Sequence, residues 1–269
     1  MGDLPVDHHT VDFGLSFCGF VQERLDMIFE NRTDAGRQLA TALLKYRGRR
    51  AVVLALPRGG VPVAAEVASA LDAPLDLMVV RKIGVPRQPE LAMGAVAEGA
   101  EPIVIRNAEI IEASGVGDEE FDAACSKERA EIERRSERYL GDRQRVEIGG
   151  RIAIIVDDGI ATGATILAAI KAARSRKPKE LVLAAPVAPL DTIKMLHSEV
   201  DAIVCLNTPA DFAAIGYFYR DFDQVSDDQV IGILRRFPVA EPGLAPGGAK
   251  SHPAADSQAP TRFGHRRQE

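Results

Sequence analysis

Short apolar runs recur along the chain, at residues 51–56, 75–80, 102–105, 152–156, 181–185 and 202–206. They are apolar on both faces and are separated by stretches of helical period. That pattern predicts the strands of a mostly parallel sheet covered by helices on both sides, an α/β fold. A first helix is expected over 34–46, where Leu39, Leu43 and Leu44 form a stripe and Thr33 can cap the start. After the first strand, Pro62 stands where a helix can begin without losing a hydrogen bond, and Val63, Val67, Ala70 and Leu71 share one face.

Two segments break this rhythm. Residues 118–151 are dense in both signs of charge, with Glu131, Glu133, Arg134, Arg135, Glu137 and Arg138 at helical spacing. They predict a solvated helix, inserted between two strands and longer than such connections need. Residues 238–269 are rich in Pro, Gly, Ala and Ser, with no apolar periodicity to offset the entropy of ordering them. The expected organisation is an N-terminal extension over 1–30, one α/β domain over 31–237 and a disordered tail over 238–269, whose basic RFGHRRQE end reads as solvated.

Composition narrows the class without naming a function. The 269 residues allow one large domain or two small ones, and 46% hydrophobic with 27% charged residues excludes a collagen-like or wholly disordered chain. No apolar run reaches the ~18 residues of a membrane span. With 33 basic against 39 acidic residues, the net charge of −6 supplies no electrostatic footprint for nucleic acid. Cys18, Cys125 and Cys205 are too scattered for a disulfide framework or a metal pair. Asp3, Asp7, His8 and His9 open the chain where a signal peptide needs a basic and then an apolar segment, so a cytoplasmic location is expected. The side chains of His8 and His9 diverge, His197 falls on a helix surface, and no metal site of His and Cys is expected.

Chemistry concentrates in residues 151–170, RIAIIVDDGIATGATILAAI. An apolar strand ends in Asp157 and Asp158, and a small-residue turn over 159–165 opens an alanine-rich helix. Ligands of open parallel sheets bind at the carboxyl ends of strands. The turn offers free backbone N–H groups at a helix N-terminus, with Thr162 and Thr165 as further donors, which makes a phosphate cradle. The two aspartates are acceptors suited to sugar hydroxyls or to the water shell of Mg²⁺. A Walker loop needs Lys after its last glycine, where Ala164 stands, and no GxGxxG follows a strand. A plain helix cap and turn would account for Asp-Asp-Gly, but not for the whole ten-residue pattern.

Residues 156–165, VDDGIATGAT, resemble the phosphoribosyl pyrophosphate (PRPP) motif of the type I phosphoribosyltransferases. The resemblance implies that Asp157 and Asp158 hold the ribose hydroxyls, and that Gly159, Ala161, Thr162, Gly163, Ala164 and Thr165 form the loop around the 5′-phosphate. Leu56-Pro57-Arg58-Gly59-Gly60 resembles the family's pyrophosphate loop. Its glycine pair lets the backbone approach an anion, and Arg58 adds a forked cation. Arg81 and Lys82, expected at the end of the second strand, match basic residues that face the pyrophosphate; taken alone they read as an exposed strand end. The resemblance covers about residues 34–206, while 84–99 and 215–230 look most like stand-alone bacterial members.

By this resemblance the fold is a five-stranded parallel sheet with a small hood and a mobile catalytic loop. The implied reaction is displacement of pyrophosphate from C1′ of PRPP by a nitrogen nucleophile, with Asp157, Asp158, Arg58 and Lys82 as the catalytic set. Mg²⁺ would be held through PRPP and water near Asp157 and Asp158, with no direct protein ligand. Ala161 stands where the 6-oxopurine enzymes carry an aspartate, so a 6-oxopurine acceptor is disfavoured. Residues 118–151 occupy the place of the catalytic loop but read as a helix; Lys127, Arg134 and Arg135 can reach pyrophosphate from there, or can be surface. Tyr217, Phe218, Tyr219 and Phe222 can stack on a flat acceptor, although packing in the core or in a homodimer contact is preferred. Two functions stay open: a phosphoribosyltransferase, and a PRPP-binding regulatory protein without turnover.

Overall fold

The computed structural model describes residues 28–99 and 102–239. Cys18, His8, His9, most of the expected N-terminal extension and the tail from residue 240 lie outside them. Strand β1 (Ala51–Ala55), β2 (Leu75–Leu77), β6 (Ile152–Val156), β7 (Glu180–Val187) and β8 (Ala202–Asn207) form one parallel sheet in the order β2-β1-β6-β7-β8. Neighbours pair in simple register, Val53 with Ile154 and Ile154 with Val182. Alternate side chains feed two cores. Val53, Ile154 and Val182 face the layer of α1 (Arg32–Leu43) and α2 (Gly60–Leu71), whereas Leu54, Ile155 and Leu183 face α5 (Ala164–Ser175). Every residue of β1 and β6 is buried, which is why these strands read as unbroken apolar runs.

Two of the expected parallel strands are something else. The run over 75–80 splits: β2 ends at Leu77, and Val80 begins β3 (Val80–Val85) of a second sheet. The run over 102–105 is β5 (Ile103–Arg106), which pairs antiparallel with β4 (Gln88–Ala97), itself antiparallel to β3. In β5 only alternate residues are half-buried, the one-sided pattern of an outer strand rather than a central one. The small sheet lies between two helices. Ala95 and Ala97 of β4 pack with Ile166 and Ala169 of α5, while Ile83, Met93 and Val96 pack with Phe121 of α4 (Asp118–Leu140).

Helix α4 corrects the expectation of a fully solvated insertion. Phe121, Cys125, Ile132 and Tyr139 fall at spacings of whole turns and are all buried, so one apolar stripe runs beneath the charges. Gly94 makes room for it, because a Cβ there would stand 3.2 Å from the Phe121 ring and 2.5 Å from the Ile105 carbonyl oxygen. Helix α1 starts earlier than expected: Asn31, not Thr33, is its cap and accepts from the Asp34 N–H at 3.0 Å. Pro62 lies in the first turn of α2, where its missing N–H removes no bond. His197 is exposed in a 3₁₀ turn that follows α6 (Leu190–Leu196), as expected. Cys125 and Cys205 are free thiols, and among the described residues no helix is long and apolar enough to cross a membrane.

The edge strand β2 is sealed by the segment that follows α4. Asp76, fully buried, accepts from the Arg145 Nε at 3.0 Å, from the Val146 N–H at 2.9 Å and from its neighbour Leu77 at 2.8 Å. Arg143 donates to the carbonyls of Leu75 and, on α7 (Asp227–Leu234), Leu234. Asp76→Ala would strand the Arg145, Val146 and Leu77 donors, a loss of the kind that costs about 3 kcal/mol. Urea unfolding should show the midpoint falling accordingly with an unchanged m-value; a midpoint within error of the parent would mean the seal contributes nothing.

Candidate functional site

The parallel sheet changes winding direction between β1 and β6. From β1 the chain crosses through α2 to β2 on one side, and from β6 it crosses through α5 to β7 and β8 on the other. The loops that leave these neighbouring strands, 56–60 and 157–163, therefore open a crevice at the carboxyl edge of the sheet, where such folds bind ligands.

The two loops are packed against each other. Leu56 donates its N–H to the Val156 carbonyl at 3.0 Å. A Cβ on Gly60 would lie 2.7 Å from the Val156 oxygen, and one on Gly59 would overlap the Asp158 carboxylate. Gly60 is demanded by this backbone approach, whatever binds there, whereas a side chain at Gly59 would have to displace the Asp158 carboxylate from its place. The Pro57–Arg58 peptide is cis. Gly163, at φ +77°, turns the chain into α5, whose first-turn N–H groups have no intrahelical acceptor. Thr162 is exposed beside them, and the Thr192 hydroxyl on α6 fixes the loop by donating to the Ala161 carbonyl at 2.7 Å.

The two aspartates sit in different surroundings. Asp158 accepts from the Arg32 Nε at 2.7 Å, and its backbone carbonyl accepts from the Tyr219 hydroxyl at 2.6 Å. Among the described residues no cation pairs with Asp157; its Oδ1 accepts the Asp158 N–H at 2.9 Å. Burial, and then the charge of Asp158, push the Asp157 carboxyl well above the usual carboxylate range. Burial likewise pushes the Tyr219 phenol up, so that it stays a donor.

The expected cations are dispersed. Arg58 lies 3.6 Å from Asp227, the first residue of α7, which also accepts from the Tyr139 hydroxyl at 2.8 Å and pairs with Arg138 at 3.1 Å. Those partners, Tyr139 foremost, hold the Asp227 carboxyl below its usual range. Arg81 and Lys82 are not at the end of β2 but inside β3, where alternation sends them to opposite faces. Arg81 pairs with Glu128 of α4 at 2.8 Å, and Lys82 is exposed. Arg134 and Arg135 both bind Glu131, at 2.7 Å, and hold its carboxyl down at about 2. Among the described residues no hydrogen bond or ion pair joins Lys127, Arg134 or Arg135 to either loop. The structure thus gathers Arg58, Gly59 and Gly60 with Asp157, Asp158, Gly159 and the 161–165 turn, and leaves the other cations apart.

The aromatic segment after β8 is mostly packing. Tyr219 is buried with Phe29 and Phe222, at ring centroid distances of 5.4 and 4.9 Å, while Tyr217 alone is largely exposed. Ile215 closes over Gly159, where a Cβ would lie 2.6 Å from its Cγ2. Arg32, Asp227 and Glu128 are not legible in the sequence as site residues, since each reaches the site or its cations from a distant part of the chain with no local pattern to mark it. Tyr219 is legible as an aromatic ring, but not as the donor to Asp158.

A family model described as a phosphoribosyl transferase domain matches residues 25–221, and the chain belongs to that family. Its relatives include two curated Mycobacterium tuberculosis proteins, each 49% identical over 209 residues: "Putative phosphoribosyl transferase Rv0571c" of strain H37Rv and its counterpart MT0597 of strain CDC 1551. The match covers 78% of this chain and 47% of theirs, so the chain spans about half the length of these relatives. Among solved structures, TT1426 from Thermus thermophilus superposes with a TM-score of 0.68 at 38% identity, over 79% of this chain and all of that one. The type I fold implied by the motifs is therefore the fold of this chain.

Gly59→Ala should lower stability by about 1–3 kcal/mol through overpacking. Gly232→Ala, exposed in α7 with open space around its Cβ, should instead raise it by up to ~1 kcal/mol. Thermal unfolding of the pair checks both signs. Because the Asp157 pKa is raised on folding, its stabilising protonated form is present at low pH and lost as pH climbs through the folded value. Asp157→Asn should accordingly raise the melting temperature near pH 8, with the gain shrinking toward pH 4; a lowered melting temperature at pH 8 would contradict the reading.

Proposed function

We propose that the protein transfers ribose 5-phosphate from PRPP to a nitrogen nucleophile other than a 6-oxopurine. What supports this is the pairing of Arg58-Gly59-Gly60 with Asp157-Asp158 and the 159–165 turn at the one place where the sheet reverses its winding. On this reading Asp157 and Asp158 take the ribose hydroxyls, and the N–H groups and hydroxyls of Ala161, Thr162, Gly163, Ala164 and Thr165 take the 5′-phosphate. Arg58, with the backbone of Gly59 and Gly60, takes the diphosphate, joined by Lys82, the exposed cation of β3, whereas Arg81 lies on the opposite face of that strand and is paired with Glu128.

Displacement at C1′ builds positive charge on the ribose ring and negative charge on the leaving group. The carboxylates answer the first, and Arg58 with Lys82 the second. Among the described residues no group of three or more His, Cys, Asp or Glu could form a metal cage, and one oxygen of Asp158 is committed to Arg32. That donor set fits an ion carried in on the substrate's diphosphate, with water between it and the protein. Mg²⁺ so held would neutralise part of the leaving charge. Ala161 offers no carboxylate for a purine proton, which is why a 6-oxopurine is not the expected acceptor.

PRPP binding without turnover is the second reading, and one observation favours it: Arg58 and Arg81 are each already paired with a carboxylate of the chain's own helices. Mg²⁺-dependent pyrophosphate release from PRPP, assayed over a panel of nucleobases and small amines, separates the two. Release that depends on one acceptor is the expected outcome; calorimetric PRPP binding with no release from any acceptor selects the second. Replacing Asp157 and Asp158 together by Asn should abolish binding at micromolar PRPP, and unchanged binding would sink both.

A further inference from the structure

Arg32 lies 126 positions from Asp158 and outside both motifs, yet its guanidinium is fixed on three sides. Its Nε donates to Asp158 Oδ2 at 2.7 Å, its Nη1 donates to the Asp223 carbonyl at 2.7 Å, and its plane lies 3.8 Å from the centre of the Phe222 ring. The two side chains of the ion pair are only 12% and 11% exposed, so solvent screens the contact little. The backbone that carries Arg32 is held as well. Phe29 donates to the Phe218 carbonyl at 2.8 Å, and Arg220 and Asp221 donate to the carbonyls of Phe29 and Glu30 at 2.9 and 3.0 Å. The cap at Asn31 then sets the direction in which α1 starts.

This immobility decides what the cation can do. A guanidinium locked by a carboxylate, a carbonyl and a ring is not free to bind an arriving phosphate. It can fix the rotamer of the carboxylate it touches. The groups around that carboxylate are few: Asp157 beside it, Arg32 from α1, the Tyr219 hydroxyl on its backbone carbonyl, and the loop of Gly59, whose Arg58 is paired with Asp227. Arg32 is the cation bonded to it.

Resting on the PRPP reading above, we propose that Arg32 is the positioning residue of the sugar site, holding the Asp158 side chain in one orientation with its second oxygen presented to a ribose hydroxyl. Asp157, with no cation paired to it among the described residues, is the member of the pair free to carry a proton. The binding site thereby includes the start of α1 and the 219–223 segment, which the motifs alone do not reach.

The test is calorimetric binding of Mg-PRPP to the full chain for the parent, Arg32→Gln and Arg32→Lys, joined by thermal unfolding without ligand of the parent, Arg32→Gln, Asp158→Asn and the two replacements combined. Arg32→Gln should bind about 30-fold more weakly, the loss expected of a hydrogen bond between charged groups. Arg32→Lys should recover to within about fivefold of the parent, and the combined replacement should lower the melting temperature by less than the sum of the single ones. A loss with no rescue by Lys, or additive unfolding effects, would reduce Arg32 to a packing residue and overturn the proposal. Failure of the parent to bind PRPP would instead remove the PRPP reading, and the unfolding arm would still decide whether Arg32 holds Asp158.

Discussion

The contact on which the site depends is the seating of the Gly59-Gly60 backbone on the end of β6. Two loops that follow adjacent strands are brought so close that a Cβ on Gly60 would meet the backbone of Val156 and Asp157, and one on Gly59 the Asp158 carboxylate. Everything chemical at the carboxyl edge is arranged around that approach. It presses a backbone segment against a pair of carboxylates, excludes water from one of them, and leaves the turn into α5 as the open wall of the crevice. A parallel sheet supplies such a place only where its winding reverses, and this chain puts Arg58, Asp157 and Asp158 there.

Charge in the site is handled by pairing with distant elements. Asp158 is answered from α1 and Arg58 from α7, while Arg81, on the small sheet, is answered from α4. The arrangement lets a chain of ordinary overall charge hold Asp158 and Arg58 at one sheet edge, each neutralised where it stands. It also ties α4 and α7 to the 56–60 loop: Asp227 collects Arg58, Arg138 and Tyr139. Any anion that takes Arg58 must compete with that carboxylate.

The central sheet is legible in the sequence because burial of β1, β6 and β7 leaves a plain signal of apolar runs with helices between them, which the half-buried β8 shares. Both glycine-bearing loops are legible for a related reason, since close backbone approach and carboxyl-edge position restrict the residue types locally. What escapes is set by pairing across the chain. Strand β4 carries no mark because its small residues, Gly94, Ala95 and Ala97, are buried between two helices without any β-branched run. The break after Leu77 is hidden because a main-sheet strand and a hood strand follow one another with only two residues between, so that Arg81 and Lys82 read as belonging to the wrong sheet. The stripe on α4 is masked by charges at the positions around it. No local pattern distinguishes Arg32 from any other arginine at the start of a helix.

The alanine-rich α5 has a consequence of its own. With Ala168, Ala169, Ala172 and Ala173 buried, it is a thin spacer between two sheets rather than a helix lying on one. A spacer with two dry sides cannot face water on either. The small sheet is therefore not a module that could be exchanged intact. Any exchange would have to bring its own version of α5, and with it the turn at that helix's start. Variation in the small sheet and constancy at the carboxyl edge of the large one are thus coupled through a single helix.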